Sequence, residues 1–179
     1  ERNTRRIMNE KRRLLGMTLD ELKGVAFEAG LPGYAAKQMA DWLYKKKVTS
    51  IAAMTNIASA KRALLEKNFE VGAVPPSDLM KSVDGTIKYL YPAGPGNFVE
   101  SVYIPTEDRA TLCVSSQVGC KMNCLFCMTG KQGFTKNLSA NEILNQIQSL
   151  PETEELTNIV FMGMGEPLDN VDELFKVLE

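Results

Sequence analysis

The chain has 179 residues, of which 44% are hydrophobic and 24% charged, and a formal net charge of −1. This composition is typical of globular proteins and excludes a disordered or collagen-like chain. No apolar run reaches the roughly 20 residues that a bilayer-spanning helix needs, and the basic N-terminal stretch lacks a signal-peptide core, so we expect a cytoplasmic protein. Because the sequence contains no histidine, any metal would be held mainly by sulfur.

The charge is distributed unevenly along the chain. Residues 1–80 carry 14 basic and 9 acidic side chains, whereas residues 81–179 carry 7 and 13. The basic part shows helical periodicity in "TLDELKGVAFEAG", "GYAAKQMADWLYKKK" and "SAKRALLEKNF". In the first of these, Thr18 and Glu21 form a predicted capping box and Gly30 a stop signal. We therefore expect residues 1–73 to form a small, basic, helical domain.

Residues 74–105 show strand signals. The segment "SVDGTIKYLYP" places an Asp-Gly turn between two extended runs, and "FVESVYIP" alternates large and small side chains. In the latter, Glu100 shares its side of the strand with Phe98, Val102 and Ile104. A carboxylate on an apolar face would be desolvated and would act as a stronger base. The alternative, a solvated carboxylate at a strand edge, is equally compatible with the pattern.

Residues 106–179 show the alternation of predicted strands and helices that is typical of a parallel α/β fold. A short strand in "ATLCVSS" is followed by a cysteine-rich loop and by a helix in "LSANEILNQIQSL", which begins with a capping box of Ser139 and Glu142. The nearly all-apolar "LTNIVFMG" predicts a second strand, buried on both faces, and "NVDELFKVLE" a second helix. Two parallel strands are too few to form a stable sheet of this kind with its hydrophobic faces buried. We therefore expect the chain to be part of a longer protein.

All four cysteines lie in the stretch "CVSSQVGCKMNCLFC". Cys120, Cys124 and Cys127 have the spacing C-x3-C-x2-C, which suits three ligands of a [4Fe-4S] cluster with one iron left open. Two alternatives remain, namely a four-cysteine zinc site that includes Cys113 and a thioredoxin-like pair of Cys124 and Cys127. Since loops at the carboxyl ends of parallel strands meet, we expect the cysteine loop to lie beside "GMGEP".

These motifs resemble the radical S-adenosylmethionine (SAM) superfamily. Within it, "TLCVSSQVGCKMNCLFCMTGKQGF", "LTNIVFMGMGEPLDN", "GYAAKQMADWLY" and "SVDGTIKYLY" together resemble the RlmN-type methyltransferases, which modify adenine C2 in 23S rRNA and tRNA. The resemblance implies the first units of a partial (β/α)6 TIM-like barrel after the helical domain. It also implies that Cys120, Cys124 and Cys127 ligate the cluster and that Gly165 and Glu166 contact SAM.

The resemblance further implies two catalytic side chains. Family members carry the methyl group on a cysteine near their C-terminus and pass through a covalent protein–RNA intermediate. Glu100 matches the proposed acceptor of the adenine C2 proton, and Cys113 matches the thiol that resolves the intermediate by forming a transient disulfide with the methyl-carrying cysteine. All four cysteines of this sequence lie between Cys113 and Cys127, so we expect this chain to be inactive by itself.

Partners and alternatives follow from the same resemblance. It implies an electron donor such as flavodoxin, a monomer and no association with membranes. Adenine C8 methylation of the Cfr type and a non-catalytic, zinc-stabilised RNA-binding module are the alternatives. Ala35 stands where the family often has a basic residue. We expect the basic side chains of the helical domain to contact RNA phosphates, and the alternative is that they are simply solvated. These residues are Arg5, Arg6, Arg12, Arg13, Lys45, Lys46 and Lys47.

Overall fold

The computed structural model describes residues 11–179, so Arg5 and Arg6 lie outside the described residues. The chain divides into two compact units. One consists of Leu19–Val71 with the segment that ends at Leu14, and the other consists of Gly72–Glu179 with Leu15–Thr18. In the part of the chain that the structure describes, no helix combines the length and apolar character needed to cross a membrane.

The first unit contains the three predicted helical segments. Gly30, with φ +60°, follows the first helix, and the amide of Leu31 donates to the carbonyl of Ala26 at 2.8 Å, which satisfies a terminal carbonyl group. A two-residue parallel strand pair completes the unit. The elements are α1 (Leu19–Glu28), α2 (Ala35–Ala40) with a π-helical turn (Asp41–Lys45), α3 (Ser59–Asn68), β1 (Arg12–Arg13) and β2 (Phe69–Glu70).

Several basic side chains that we expected to contact RNA have partners within this unit. Exposed ion pairs contribute little to stability, but each carboxylate partner reduces the positive field that a phosphate would meet. RNA binding by this unit stays a prediction. The contacts are Arg12 with Glu28 at 2.9 Å, Arg13 with Glu70 at 3.4 Å, Lys45 with Asp41 at 2.7 Å, and Lys46 over the Trp42 ring at 3.5 Å.

The second unit is built on a five-stranded mixed sheet. The first three strands form two successive hairpins, the fourth continues the antiparallel order, and the fifth pairs parallel to the fourth. The predicted Asp-Gly turn is confirmed, with Gly85 at φ +87°. The strands, in spatial order, are β3 (Asp78–Lys81), β4 (Ile87–Pro92), β5 (Phe98–Pro105), β6 (Ala110–Cys113) and β9 (Asn158–Val160).

One face of this sheet carries the core of the unit. Helix α5 (Ala140–Gln148) begins at the predicted capping box of Ser139 and Glu142, which the structure confirms. Burial of each large apolar side chain contributes about 1.5–3 kcal/mol. The buried cluster contains Ile87, Tyr89, Tyr91, Ala93, Val99, Tyr103, Ala110, Leu112, Val114, Val118, Leu138, Ile143 and Leu150.

The prediction that the second parallel strand is buried on both faces is wrong. Strand β9 is three residues long, and Ile159 is 43% exposed. Within residues 11–179, β9 pairs only with β6 and therefore forms an edge of the sheet. The helix that follows, α6 (Val171–Leu178), likewise has no buried residue. The apolar character of "LTNIVFMG" correctly predicts a strand, but burial depends on neighbours that its sequence does not specify.

Candidate active site

A two-stranded ribbon closes the cysteine loop at its base. Strands β7 (Gln117–Gly119) and β8 (Phe134–Asn137) pair antiparallel, and the amide of Cys120 donates to the carbonyl of Gly133 at 3.2 Å. Gly119 has φ +75°, and a Cβ placed there would stand 1.7 Å from the Gly133 carbonyl oxygen. The ribbon therefore brings the two ends of the loop together and depends on glycine at position 119.

Replacing Gly119 with alanine should strongly destabilise this unit. The added Cβ collides with rigid backbone and is also strained by the positive φ, so we expect a loss of more than about 4 kcal/mol in the free energy of unfolding. Gly133→Ala is the matched control, since Gly133 has φ +77° and no heavy atom beyond its chain neighbours lies within 4 Å of an added Cβ. This variant should lose about 1–2 kcal/mol. Urea denaturation measures both, and equal losses would contradict the steric explanation.

The three cysteines of the loop differ in exposure. Cys120 is buried, Cys127 is half-buried and Cys124 is exposed. A turn links two of them, because the amide of Cys127 donates to the carbonyl of Cys124 at 3.1 Å. Cys127 precedes the short helix α4 (Met128–Lys131), and backbone amides of Gly130 and then Thr129 lower the pKa of its thiol. The loop thus favours the thiolate at Cys127.

The donor set of the loop suits an iron–sulfur cluster. Three thiols lie on one closed loop, and residues 120–133 contain two lysines and no carboxylate, so soft ligands face no competition from hard ones. The three thiols do not converge on one point in this structure. Within the described residues, no three His, Cys, Asp or Glu side chains form a group that could hold a metal ion. All four cysteines are described, and none forms a disulfide.

The "GMGEP" loop lies beside the segment that leads into the cysteine loop, as the sequence predicted. It follows β9 and continues alongside residues 114–117 through backbone hydrogen bonds. A Cβ on Gly165, whose φ is +97°, would stand 2.5 Å from the Gln117 Cβ, so the two segments are in close contact. The bonds are Gly163 N–H to Val114 O at 3.0 Å, Ser116 N–H to Met164 O at 2.9 Å, and Glu166 N–H to Gln117 Oε1 at 2.9 Å.

Glu166 begins the turn that follows this loop. Its carboxylate oxygen Oε1 accepts from the amide of Leu168 at 3.1 Å, and a 3₁₀ turn runs over Pro167–Asp169. A carboxylate in this position can contact a ligand through its other oxygen. The family resemblance implies that Gly165 and Glu166 contact SAM, and that role stays a prediction.

Glu100 does not lie on a buried apolar face, contrary to the expectation from its strand. On β5 the buried side chains are Val99, Ser101 and Tyr103, so Glu100 points to the opposite face. Its side chain is 43% exposed and pairs with Lys88 at 3.0 Å. Alternation correctly grouped Glu100 with its apolar neighbours, but that face is the open one, and the expected desolvation is absent.

Glu100 and Cys113 lie on the same face of the sheet. The register pairs Val102 on β5 with Cys113 on β6, and Glu100 is two residues from Val102. The two are therefore diagonal neighbours across adjacent strands. Burial raises the pKa of the Cys113 thiol, and the amide of Met162 partly opposes this effect. Cys113 is thus separate from the loop thiols and close to Glu100.

An open groove adjoins Glu100 on this face. It combines two carboxylates, an ammonium group and apolar side chains, which is a surface that can contact both the edge and the face of a planar polar ring. The lining residues are Asp78, Leu79, Met80, Lys88, Leu90 and Glu100.

A set of buried amide side chains at this end of the sheet was not predicted from the sequence. The Gln146 side chain pairs with both backbone groups of Ser115 at 2.9 Å, and Asn170 donates to the carbonyl of Ser116 at 2.9 Å. Gln117 is fully buried and bonds to Asn137 on β8 and to Asp169 in the 3₁₀ turn. The signal was present in the polar run "SSQ", which follows a strand closely, but its partners are 15 or more residues away.

Two family models match the chain. The model described as the ribosomal RNA large subunit methyltransferase N-terminal domain matches residues 12–71, and the radical SAM superfamily model matches residues 114–179. A probable dual-specificity RNA methyltransferase RlmN from Parabacteroides distasonis is 83% identical over 172 residues. The chain is therefore similar to the N-terminal half of RlmN proteins. That relative is matched over 96% of this chain and 50% of its own length.

A more distant RlmN relative and a solved structure show the same similarity. The dual-specificity RNA methyltransferase RlmN of Geobacter sulfurreducens is 46% identical over 164 residues, which are 92% of this chain and 46% of that protein. The crystal structure of a radical SAM methyltransferase from Sphaerobacter thermophilus is 36% identical with a TM-score of 0.84, covering 93% of this chain and 51% of that one. The mixed α/β fold of a radical SAM methyltransferase is thereby confirmed. The chain spans about half the length of the curated relatives it matches.

Proposed function

We propose that the protein containing this chain methylates adenine C2 in 23S rRNA and tRNA by radical SAM chemistry, through a methylcysteine. The observation that carries this proposal is the closed three-cysteine loop, whose stem contacts the Gly165–Glu166 loop at the carboxyl ends of β6 and β9. The relatives are named as dual-specificity RNA methyltransferases. A flavodoxin-like electron donor, a monomeric state and a cytoplasmic location belong to the same proposal.

Cys120, Cys124 and Cys127 would hold a [4Fe-4S] cluster, with SAM on the iron that lacks a cysteine. When bound, the cluster would supply the electron for radical SAM chemistry. The chain contributes a loop in which the lysines Lys121 and Lys131 flank the anionic ligand set. Glu166 would face the SAM ammonium group, since a carboxylate forms a charge-assisted hydrogen bond there.

Glu100 would accept the proton that leaves adenine C2. It lies at the groove lined also by Lys88, with which its carboxylate forms an ion pair of 3.0 Å. A base need not be buried in the free protein, because the substrate itself excludes water when it binds.

Cys113 would end the reaction. Its thiolate attacks the sulfur of the thioether that joins the methyl-carrying cysteine to the RNA. A sulfur–sulfur bond forms, the carbon–sulfur bond breaks, and the electron pair of that bond stays with the methylene carbon, which becomes a methyl group when it takes up a proton. The methyl-carrying cysteine would belong to a part of the full-length protein that this chain does not span.

The test uses the full-length protein that contains this chain, with a length similar to that of the RlmN relatives. After anaerobic reconstitution we expect a brown protein with about four irons per chain. Incubation with SAM, a reductant and 23S rRNA or tRNA should give 2-methyladenosine, identified by mass spectrometry of digested RNA. Formation of 8-methyladenosine would instead indicate the Cfr-type reaction, and stoichiometric zinc without iron would indicate a non-catalytic module.

Replacing Glu100 with glutamine should stall the reaction after the methylene group has been added to the base. Glutamine keeps the size of the side chain but cannot accept a proton, so turnover should fall at least about 100-fold and a covalent protein–RNA complex should accumulate. Denaturing gel electrophoresis with labelled RNA detects this complex. Glu107→Gln, in the exposed loop that follows β5, is the matched control, and an unchanged rate for Glu100→Gln would remove the assigned role.

A further inference from the structure

We propose that Gln117, Lys121, Asn137 and Asp169 form a clasp that sets the position of the cysteine loop relative to the Gly165–Glu166 loop and thereby controls SAM affinity. The proposal rests on the proposed function, because it assigns a positioning role at the same site. None of the four residues is among the predicted ligands or catalytic groups.

Asp169 is the centre of the clasp. Its Oδ2 atom accepts from Lys121 Nζ at 2.9 Å and from Gln117 Nε2 at 2.8 Å. Lys121 directly follows the predicted ligand Cys120, and Asp169 ends the 3₁₀ turn that Glu166 caps. One carboxylate oxygen therefore connects the loop of the cluster ligands to the loop that would contact SAM.

Gln117 uses both ends of its amide in the same clasp. It is fully buried, and besides Asp169 it donates to Asn137 Oδ1 at 2.8 Å, which lies on the other strand of the ribbon. Its Oε1 accepts from the amide of Glu166 at 2.9 Å. Both polar groups of this side chain have hydrogen-bond partners and none of its surface is exposed, so it has one favourable conformation. A shift of one loop would therefore break its bonds to the other loop.

Lys121 is held from a second side. Its Nζ lies 4.3 Å from the centroid of the Phe134 ring, on the second strand of the ribbon. A cation–π contact and an ion pair together restrict a side chain that would otherwise be flexible. The backbone beside Cys120 is consequently restrained both by β8 and by the turn that follows β9.

We do not expect the Lys121–Asp169 ion pair of the clasp to contribute much to the free energy of unfolding. The Lys121 and Asp169 side chains are 47% and 28% exposed, and ion pairs of such exposure contribute little to the free energy of unfolding. A site that must bind a ligand between two loops, however, requires them to be positioned to within about 0.5 Å. Loss of the ion pair should therefore affect ligand affinity more than folding.

The test compares SAM affinity and iron content in the reconstituted full-length protein. Asp169→Asn keeps an oxygen acceptor for Gln117 but removes the charge that Lys121 contacts. We expect SAM binding, measured by isothermal titration calorimetry, to weaken at least about 10-fold while iron content is unchanged. Lys121→Met should give a similar loss, the double variant no further loss, and Lys121→Arg, which keeps the cation, less than about 3-fold.

The control is Asp20→Asn, which removes an exposed ion pair of 2.6 Å with Lys23 in the first unit and should leave SAM affinity unchanged. If Asp169→Asn does not fold, Lys121→Met makes the comparison alone. SAM affinity within twofold of the unmodified protein in Lys121→Met would overturn the clasp and leave the proposed function standing. An unmodified protein that binds neither iron nor SAM would overturn both.

Discussion

Replacing Cys124 with alanine is expected to remove the iron from the reconstituted protein and to abolish RNA methylation. Cys124 is the exposed thiol of the loop, and its carbonyl accepts the hydrogen bond that forms the turn to Cys127. Alanine preserves this backbone bond, so the loop should keep its conformation while it loses one of three thiolate ligands. A cluster held by two thiolates is open to solvent, and we expect fewer than about one iron per chain instead of about four.

Cys113→Ala is the matched control for this experiment. Cys113 lies on β6, outside the closed loop, and its pKa is raised by burial, so it should not be a ligand. We expect full iron content after its replacement. Iron or zinc content that falls equally when Cys113 and Cys124 are replaced would favour the four-cysteine zinc site. Metal analysis and the visible absorption spectrum measure the difference.

The sequence predicted the elements of this fold well where the signal is local. Helical periodicity, the capping box of Ser139 and Glu142, and the Asp-Gly turn each depend on residues within a few positions of one another. The order of β6, α5, β9 and α6 also followed from local patterns, whereas β7, α4 and β8 lie in a stretch that was predicted as a loop. Even the contact between the segment that leads into the cysteine loop and the "GMGEP" loop could be predicted, because parallel strands place their carboxyl ends at one edge.

What the sequence could not predict depends on contacts between distant segments. Alternation placed Glu100 on one side of β5, but which side packs against α5 is decided by residues 140–148. Strand β9 looks like a core strand, yet its exposure depends on a neighbouring strand. Gln117 binds Asn137 and Asp169, which are 20 and 52 residues away, and no spacing rule connects them. The missed residues are therefore positioning residues, whereas the identified ones carry recognisable chemistry.

Cys113→Ala should also trap the covalent complex of protein and RNA. In the proposed reaction the thiol of Cys113 is the nucleophile that releases the RNA, and the alanine variant has no group to replace it on this face. We expect single-turnover addition to proceed, labelled RNA to remain attached to the protein after denaturation, and product release to fall at least about 1,000-fold. Cys113→Ser, which has a far weaker nucleophile of similar size, should trap the complex as well.

The pH dependence of release separates a chemical role of Cys113 from a structural one. Because burial raises the pKa of this thiol, most of it is protonated at neutral pH, and only the thiolate attacks sulfur. Below that pKa each added pH unit increases the thiolate fraction about tenfold, so release in the unmodified protein should accelerate as pH rises. Rapid-quench measurement of the attached RNA gives this rate. A pH-independent rate, or free turnover in Cys113→Ala, would mean that another group resolves the intermediate and that Cys113 only packs at the end of β6.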